Sequence, residues 1–336
     1  MSLRRLLLNI FFVIPSWVLR LFIWKKDTYL RGQVIDFKSS LFIALTPESL
    51  LAKTEFVDDL RVSINEARIA TPISIRPSKN VHIINHELTS GSERILLREY
   101  IPDKIISEKV ILYFHGGGYV IGDVETHDRW VAEMSNILGA KIFSLNYRLA
   151  PENKFPKALE DSCLSLNWLN ERGYENDNIS LCGDSAGAHL AAATSNHLAI
   201  NNQTLPSSQC LIYPMTDPAC DSESYSLFGE GYLLTSDTMV WFWDQLRSSK
   251  EDNNNPCFNL TKFPREISNP KTLIITAGFD PLSDEGEEYA AMLNNAGVSI
   301  NHIHYPNMFH GFVTATKLKA AKFAAFDFLE DYKKIL

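Results

Sequence analysis

Residues set far apart in this chain have the chemistry of acyl transfer from an oxygen nucleophile. Ser185 stands in Gly183-Asp184-Ser185-Ala186-Gly187, directly after a short apolar run and directly before a long Ala-rich one. A serine that leaves a strand through a turn sharp enough to project its hydroxyl needs a nearly bare backbone on both sides, which the two glycines supply. A helix starting there would aim free N–H groups at the place where negative charge develops. The competing reading is a small residue in a tight turn, and it predicts no helper groups elsewhere.

A serine hydroxyl is too weak a nucleophile at neutral pH, so a base and a group that orients the base are required. Of the nine histidines, His302 and His304 alternate within the last strand-like run. His82 and His86 belong to the far end of the sheet, His189 and His197 lie in the helix after Ser185, and His115 precedes a run of glycines. That leaves His310, in YPNMFHGF, as the base. For the acid, Asp280 directly follows an apolar run, with Asp217 as the fallback. Asp284 and Glu285 read as charge at the start of the next helix, and the Asp184 side chain is expected to point away from the serine.

About seventy residues before the serine, VILYFHGGGYV reads as a buried strand followed by His115, Gly116, Gly117 and Gly118. A phosphate-binding loop of the Walker type would need a Lys-Ser/Thr pair, which is missing. An oxyanion hole fits better. Backbone N–H donors approach a tetrahedral intermediate only where no side chain intervenes, and these would act together with the N–H of Ala186. His115 is expected to fix the loop.

These residues must be carried by a sheet. Apolar runs at 81–88, 94–101, 109–114, 140–145, 178–182, 208–213, 271–276 and 299–305 predict up to eight strands. Helical spacing at 127–138, 156–172, 186–200, 284–296 and 312–335 alternates with the later ones. That alternation predicts an α/β protein with a mostly parallel sheet covered on both faces, and it puts Ser185, Asp280 and His310 at C-terminal strand ends. Residues 1–75 are helical in pattern, with Thr71-Pro72 and Pro77-Ser78 marking a joint. Residues 216–262 form a long aromatic-rich insertion with Tyr225, Phe228, Tyr232, Trp241, Phe242, Trp243 and Phe258. Both are expected to form one cap over a catalytic core of 76–215 and 263–336.

Bulk properties narrow the function. The 336 residues are 45% apolar and 21% charged with a net charge of −8, and no basic, aromatic-interleaved patch favours a nucleic-acid partner. Five cysteines without C-x-x-C spacing read as reduced residues in a cytoplasmic compartment and as neither a disulfide framework nor a zinc site. Residues 1–26 hold Arg4, Arg5, Arg20, Lys25, Lys26 and no acid, so this stretch is +5 and the rest of the chain −13. On a helical wheel Arg5, Asn9, Ser16 and Arg20 share one narrow edge and the rest is apolar. Asn9, Pro15 and Arg20 interrupt it too often for a bilayer crossing. Two expectations remain, peripheral membrane contact or packing over a pocket of the same protein.

HGGGYVIGD at 115–123, NYRLAPENKFPKALED at 146–161, GDSAGAHLAA at 183–192, AGFDPLSDEG at 277–286 and HGF at 310–312 resemble the hormone-sensitive-lipase branch of the α/β-hydrolases. The likeness covers residues 80–336 well and the first 75 only by analogy with that family's N-terminal cap. It implies Ser185, Asp280 and His310 as triad, Gly117, Gly118 and Ala186 as oxyanion donors, and Arg148 with Glu160 as structural braces. The chain order serine, acid, histidine is that of the α/β-hydrolase arrangement. The basic, apolar start departs from the usual cap and is similar to membrane-anchored arylacetamide-deacetylase-like members.

The activity expected is hydrolysis of small-molecule carboxylic esters of short to medium acyl chain, with no metal and no cofactor, the aromatic insertion lining a dry pocket. The alternatives are an amidase or deacetylase on the same scaffold, and a small-molecule receptor of the kind that loses part of the triad. A homodimer is left open.

Overall fold

The N-terminal stretch forms two helices rather than one continuous wheel, α1 (Leu3–Val13) and α2 (Ser16–Phe22). Pro15 separates them, since it lacks a helical N–H and its backbone is extended at φ −61°, ψ 147°. The computed structural model describes residues 3–23, 28–46, 54–70, 73–75, 80–264 and 266–336. Next comes a small antiparallel hairpin, β1 (Tyr29–Leu30) and β2 (Gln33–Val34). The helical reading of residues 1–75 missed it. Arg31 and Gly32 turn it with φ of 50° and 73°, the two left-handed residues that a type I′ hairpin requires. Helices α3 (Phe37–Leu45) and α4 (Val57–Ala70) complete this part.

The main sheet contains β3 (Val81–Ser90), β4 (Glu93–Pro102), β5 (Val110–Phe114), β6 (Ile142–Leu145), β7 (Ile179–Asp184), β8 (Ser208–Ile212), β9 (Lys271–Phe279) and β10 (Ile300–Phe309). Their order across the sheet is β10-β9-β8-β7-β5-β6-β4-β3. β3 and β4 pair antiparallel, as do β4 and β6, and all other pairs are parallel. Every residue of β5, β6, β7 and β8 is buried, the signature of strands covered on both faces.

Helices supply the two covers. They are α5 (Val124–Leu138), α6 (Lys157–Asn170), α7 (Ala186–Ile200), α8 (Glu223–Phe228), α9 (Ser236–Leu246), α10 (Ser283–Asn295) and α11 (Lys319–Ile335). Alternation along β5 divides the core. Leu112 and Phe114 join one apolar cluster with Leu190 and Trp243, while Ile111 and Tyr113 join a second with Trp130 and Phe328. α7 is buried along nearly its whole length, which its run of alanines permits.

The final helix starts later than its sequence pattern predicts. Phe312–Thr314 is a single 3-10 turn, Gly311 before it sits at φ 83°, and α11 begins at Lys319. Residues 216–262 hold α8, α9 and the short 3-10 turns Lys250–Asn254 and Leu260–Lys262. The expected joint at Thr71-Pro72 and Pro77-Ser78 lies outside the described residues, as do Lys25 and Lys26. Among the described residues no helix is long and apolar enough to cross a membrane.

Candidate active site

Ser185 occupies the single position between the end of β7 and the start of α7. Its φ of 56° and ψ of −119° are strained for a residue with a Cβ. The turn is fixed by its N–H, which donates to the Ile212 carbonyl at 2.8 Å. Both flanking glycines are required by packing. A Cβ on Gly183 would lie 2.3 Å from the Gly187 carbonyl, and one on Gly187 would lie 1.9 Å from the Phe114 carbonyl oxygen. The helix therefore starts in contact with the sheet.

The histidine and carboxylate expected as base and acid reach Ser185 from two neighbouring strands. His310 follows β10 and Asp280 follows β9 directly. His310 Nε2 lies 2.9 Å from Ser185 Oγ, and His310 Nδ1 lies 2.8 Å from Asp280 Oδ2. Asp280 is fully buried and its second oxygen accepts the Leu282 N–H at 2.9 Å. A carboxylate only accepts, so Nδ1 carries the proton and Nε2 is free to accept the serine hydroxyl. The fallback acid, Asp217, is engaged elsewhere, with its Oδ1 accepting from Ala219 N at 3.0 Å and Asn259 Nδ2 at 3.5 Å.

The three glycines after His115 each face a different protein neighbour. A Cβ on Gly116 would meet Asp184 Oδ2 at 2.5 Å, one on Gly117 the Ile121 carbonyl oxygen at 2.0 Å, and one on Gly118 the Phe242 ring at 2.2 Å. Packing alone forbids side chains here, in addition to any need of a substrate. The Gly116 N–H is taken, since it donates to Asp184 Oδ1 at 3.0 Å. Gly117, at φ 129°, and Gly118, at φ 60°, form the next two positions of the loop. Ala186 is the first residue of α7, where an N–H has no acceptor inside its own helix.

His115 donates from Nδ1 to the Gly116 carbonyl at 2.9 Å and stacks on Tyr147 with ring centroids 4.3 Å apart. The Asp184 carboxylate is held by other groups, and what it binds was not legible in the motif. Tyr113 Oη donates to it at 2.6 Å, Tyr213 Oη lies at 3.4 Å, and His127 Nε2 lies at 3.3 Å. Burial raises its pKa, but His127 and the hydrogen bond from Tyr113 outweigh this and hold it at about 2. Burial, assisted by His127, lowers His115 to about 4.

The neighbouring acids make contacts that their positions in the chain did not indicate. Asp284 and Glu285 lie in the first turn of α10, as expected, and Glu285 is also closed off from solvent. It is buried, accepts the Thr216 N–H at 2.6 Å and the Tyr225 hydroxyl at 2.9 Å, and burial pushes its pKa well above the usual carboxylate range. Asp284 accepts the Ser224 N–H at 2.8 Å and pairs with Arg31 at 2.5 Å. Arg148 braces its loop chiefly through Asp161, fully buried and 2.5 Å away, whereas Glu160 lies at 3.5 Å. Among the described residues no group of three or more His, Cys, Asp or Glu side chains is set to hold a metal ion.

A serine on a strained strand-to-helix turn, followed in chain order by an acid and a histidine at the rim of one parallel sheet, is the α/β-hydrolase architecture. Residues 111–314 match the alpha/beta hydrolase fold family, and the chain belongs to it. An ethyl acetate hydrolase of Pseudomonas putida is 33% identical over 67% of this chain and 73% of its own length. A carboxylic ester hydrolase of Mycobacterium tuberculosis, LipN, is 28% identical over 91% of this chain and 84% of its own. Among solved structures, the Pyrobaculum calidifontis esterase superposes with a TM-score of 0.80 at 29% identity, covering 90% of this chain and 99% of that one. The hormone-sensitive-lipase-like motifs agree with these relatives.

Proposed function

We propose that the chain is a serine carboxylesterase that cleaves small esters of short to medium acyl chain through an acyl-enzyme on Ser185. The observation that carries this reading is the continuous relay from Ser185 Oγ to His310 at 2.9 Å and from His310 to Asp280 at 2.8 Å. Ser185 Oγ bonds to the ester carbonyl carbon as its proton passes to His310 Nε2. Asp280 stabilises the resulting imidazolium. The oxyanion accepts from the N–H groups of Gly117, Gly118 and Ala186, each donor lowering the barrier by about 3 kcal/mol. Collapse breaks the C–O bond, and the departing alcohol takes the proton from His310. Water then attacks the acyl group, giving a proton to His310, and release of the acid returns that proton to the serine.

The substrate class follows from the insertion at 216–262, which acts with residues 1–75 as a cap. Phe228 and Tyr232 pack on Phe279 with ring centroids 5.4 Å apart in each case, next to Asp280. An aromatic cap with few polar anchors suits an uncharged acyl chain. The test is a panel of p-nitrophenyl esters of increasing chain length run beside fluorophosphonate labelling. Labelling at Ser185 with a rate maximum on short or medium esters is the expected result. An unlabelled Ser185, or a maximum on long-chain emulsions, refutes it.

In the same reading residues 1–26 contact a membrane surface without spanning it. Val13 and Phe22 are each 83% exposed, with Leu21 at 71% and Trp17 at 68%, large exposed apolar side chains in a stretch with five basic residues and no acid. The opposite side of α1 is anchored on the body, where Lys38 Nζ donates to the Phe12 carbonyl at 2.9 Å and Phe12 packs on Phe42. Flotation with anionic and zwitterionic vesicles tests this. Wild-type protein should float with anionic vesicles and a Trp17→Ser/Phe22→Ser variant should not. Wild-type protein that stays in the aqueous fraction with both removes the membrane reading.

A further inference from the structure

Gly118 lies under the face of Phe242. A Cβ there would fall 2.2 Å from both Cγ and Cδ2 of the ring and 2.5 Å from Cδ1. Phe242 comes from α9, inside the insertion, and is only 3% exposed. The next residue on α9, Trp243, packs edge-on against His189, with centroids 5.3 Å apart at 84°.

His189 continues the connection to the same loop. Its Nε2 lies 2.8 Å from the Phe258 carbonyl and its Nδ1 lies 2.6 Å from Tyr119 Oη. A carbonyl only accepts, so Nε2 carries the proton and Nδ1 accepts from the tyrosine hydroxyl. Burial agrees with this neutral form, lowering the His189 pKa to about 4. Tyr119 follows Gly118 and sits at φ 64°. The His189 N–H donates to the Ser185 carbonyl at 3.0 Å. The insertion thus grips two successive residues of the glycine loop from above, one by ring packing and one through a histidine tied to the nucleophile turn.

We propose that Phe242 is a positioning residue for the oxyanion hole, its ring setting the height of the Gly118 N–H above Ser185. The insertion thereby takes part in transition-state stabilisation as well as in forming the pocket. The inference rests on the esterase reading, because it needs Gly118 to be an oxyanion donor. Donors act through sub-ångström placement, so a loosened loop lowers turnover more than it weakens ground-state binding.

The test is a double-mutant cycle on the full chain: Phe242→Ala, Gly118→Ala and the pair, with Phe242→Leu as a milder variant and thermal unfolding to verify folding. Each is assayed for kcat and KM on p-nitrophenyl butyrate and for its rate of inactivation by a fluorophosphonate. Phe242→Ala should lower kcat and the inactivation rate by about ten- to a hundredfold while KM stays within about threefold. Gly118→Ala, whose methyl meets the ring, should lose more. Removing the ring in that background should recover at least about fivefold of the loss, because the two changes are coupled. Phe242→Leu should fall between wild type and Phe242→Ala. A change confined to KM, or losses that multiply independently, would overturn the proposal. Wild-type protein that neither turns over ester nor labels at Ser185 fails one step earlier and sinks the esterase reading itself.

Discussion

Phe279 and Phe309 are register partners at the C-terminal ends of adjacent parallel strands, and the residue directly beyond each is half of the proposed acid–base pair. Parallel pairing makes Asp280 and His310 neighbours although 30 positions separate them in the chain, and their 2.8 Å contact follows from that register. The assignment of the acid can be tested directly. Asp280→Asn should lower kcat by about 10⁴-fold, because the amide favours the wrong imidazole tautomer. Asp217→Asn should stay within about threefold, since its partners are Ala219 and Asn259. The reverse ranking in steady-state kinetics would move the role to Asp217.

Asp184 should act on stability through pH. Its folded pKa, at about 2, lies below the unfolded value, so its contribution is fully present above about pH 4 and disappears as pH falls through about 2. The corresponding difference is roughly 2 kcal/mol. Asp184→Ala also strands the Gly116 N–H and the Tyr113 hydroxyl, and should destabilise by about 3 kcal/mol at pH 7. Denaturant titrations of both proteins at pH 7 and pH 3 check the sign, since the gap must narrow at the lower pH.

His189 gives a second pH signature, in a different window. Its folded pKa of about 4 lies below the ordinary histidine value, so the unfolded chain takes up the proton first and stability falls as pH drops from about 6.5 to about 4. The contribution is up to roughly 3 kcal/mol. Chemical denaturation of His189→Gln across that range should show a shallower slope than wild type, and an unchanged slope would contradict a neutral, buried imidazole.

The Arg148 brace predicts a contrast between adjacent acids. Asp161→Ala removes the buried partner that Arg148 holds at 2.5 Å, and should cost about 3 kcal/mol. Glu160→Ala removes a half-exposed side chain 3.5 Å from the same guanidinium, and should cost at most about 0.5 kcal/mol. Equal losses in urea melts would restore the importance of Glu160.

The sequence made visible those parts of the protein that depend on local chemistry. Apolar runs located all eight main strands to within a few residues, since four of them are buried on both faces and carry few polar residues. The sequence pointed to Ser185 through its flanking glycines, to Asp280 through its place just after a strand, and to His310 by elimination among the histidines, and the fold brings these three side chains together. Partners across space were not legible. Nothing near Asp184 in the chain indicates that its carboxylate will meet Tyr113 and His127, and nothing in Gly116-Gly117-Gly118 indicates that Phe242 will lie on the last of them. Glu285 shows the same limit. Its place in a first helical turn suggested a charge at the helix start, and the tertiary packing of Thr216 and Tyr225 makes it a buried acceptor as well. The Arg31-Gly32 turn carried a usable local signal, a glycine between two short apolar pairs, which the surrounding helical pattern masked.

The irregularity in β10 has a practical consequence. Tyr305 pairs with Ala277 and Phe309 with Phe279, so β10 spends four residues where β9 spends two. The Pro306 carbonyl leans over Gly278, where a Cβ would come within 2.4 Å of it. The slack segment is thus a spacer that sets how far the imidazole stands out from the sheet, seated on a glycine in the neighbouring strand. Anyone transplanting the histidine loop onto another member of this fold would have to move Gly278 with it, or the ring would arrive at the wrong height.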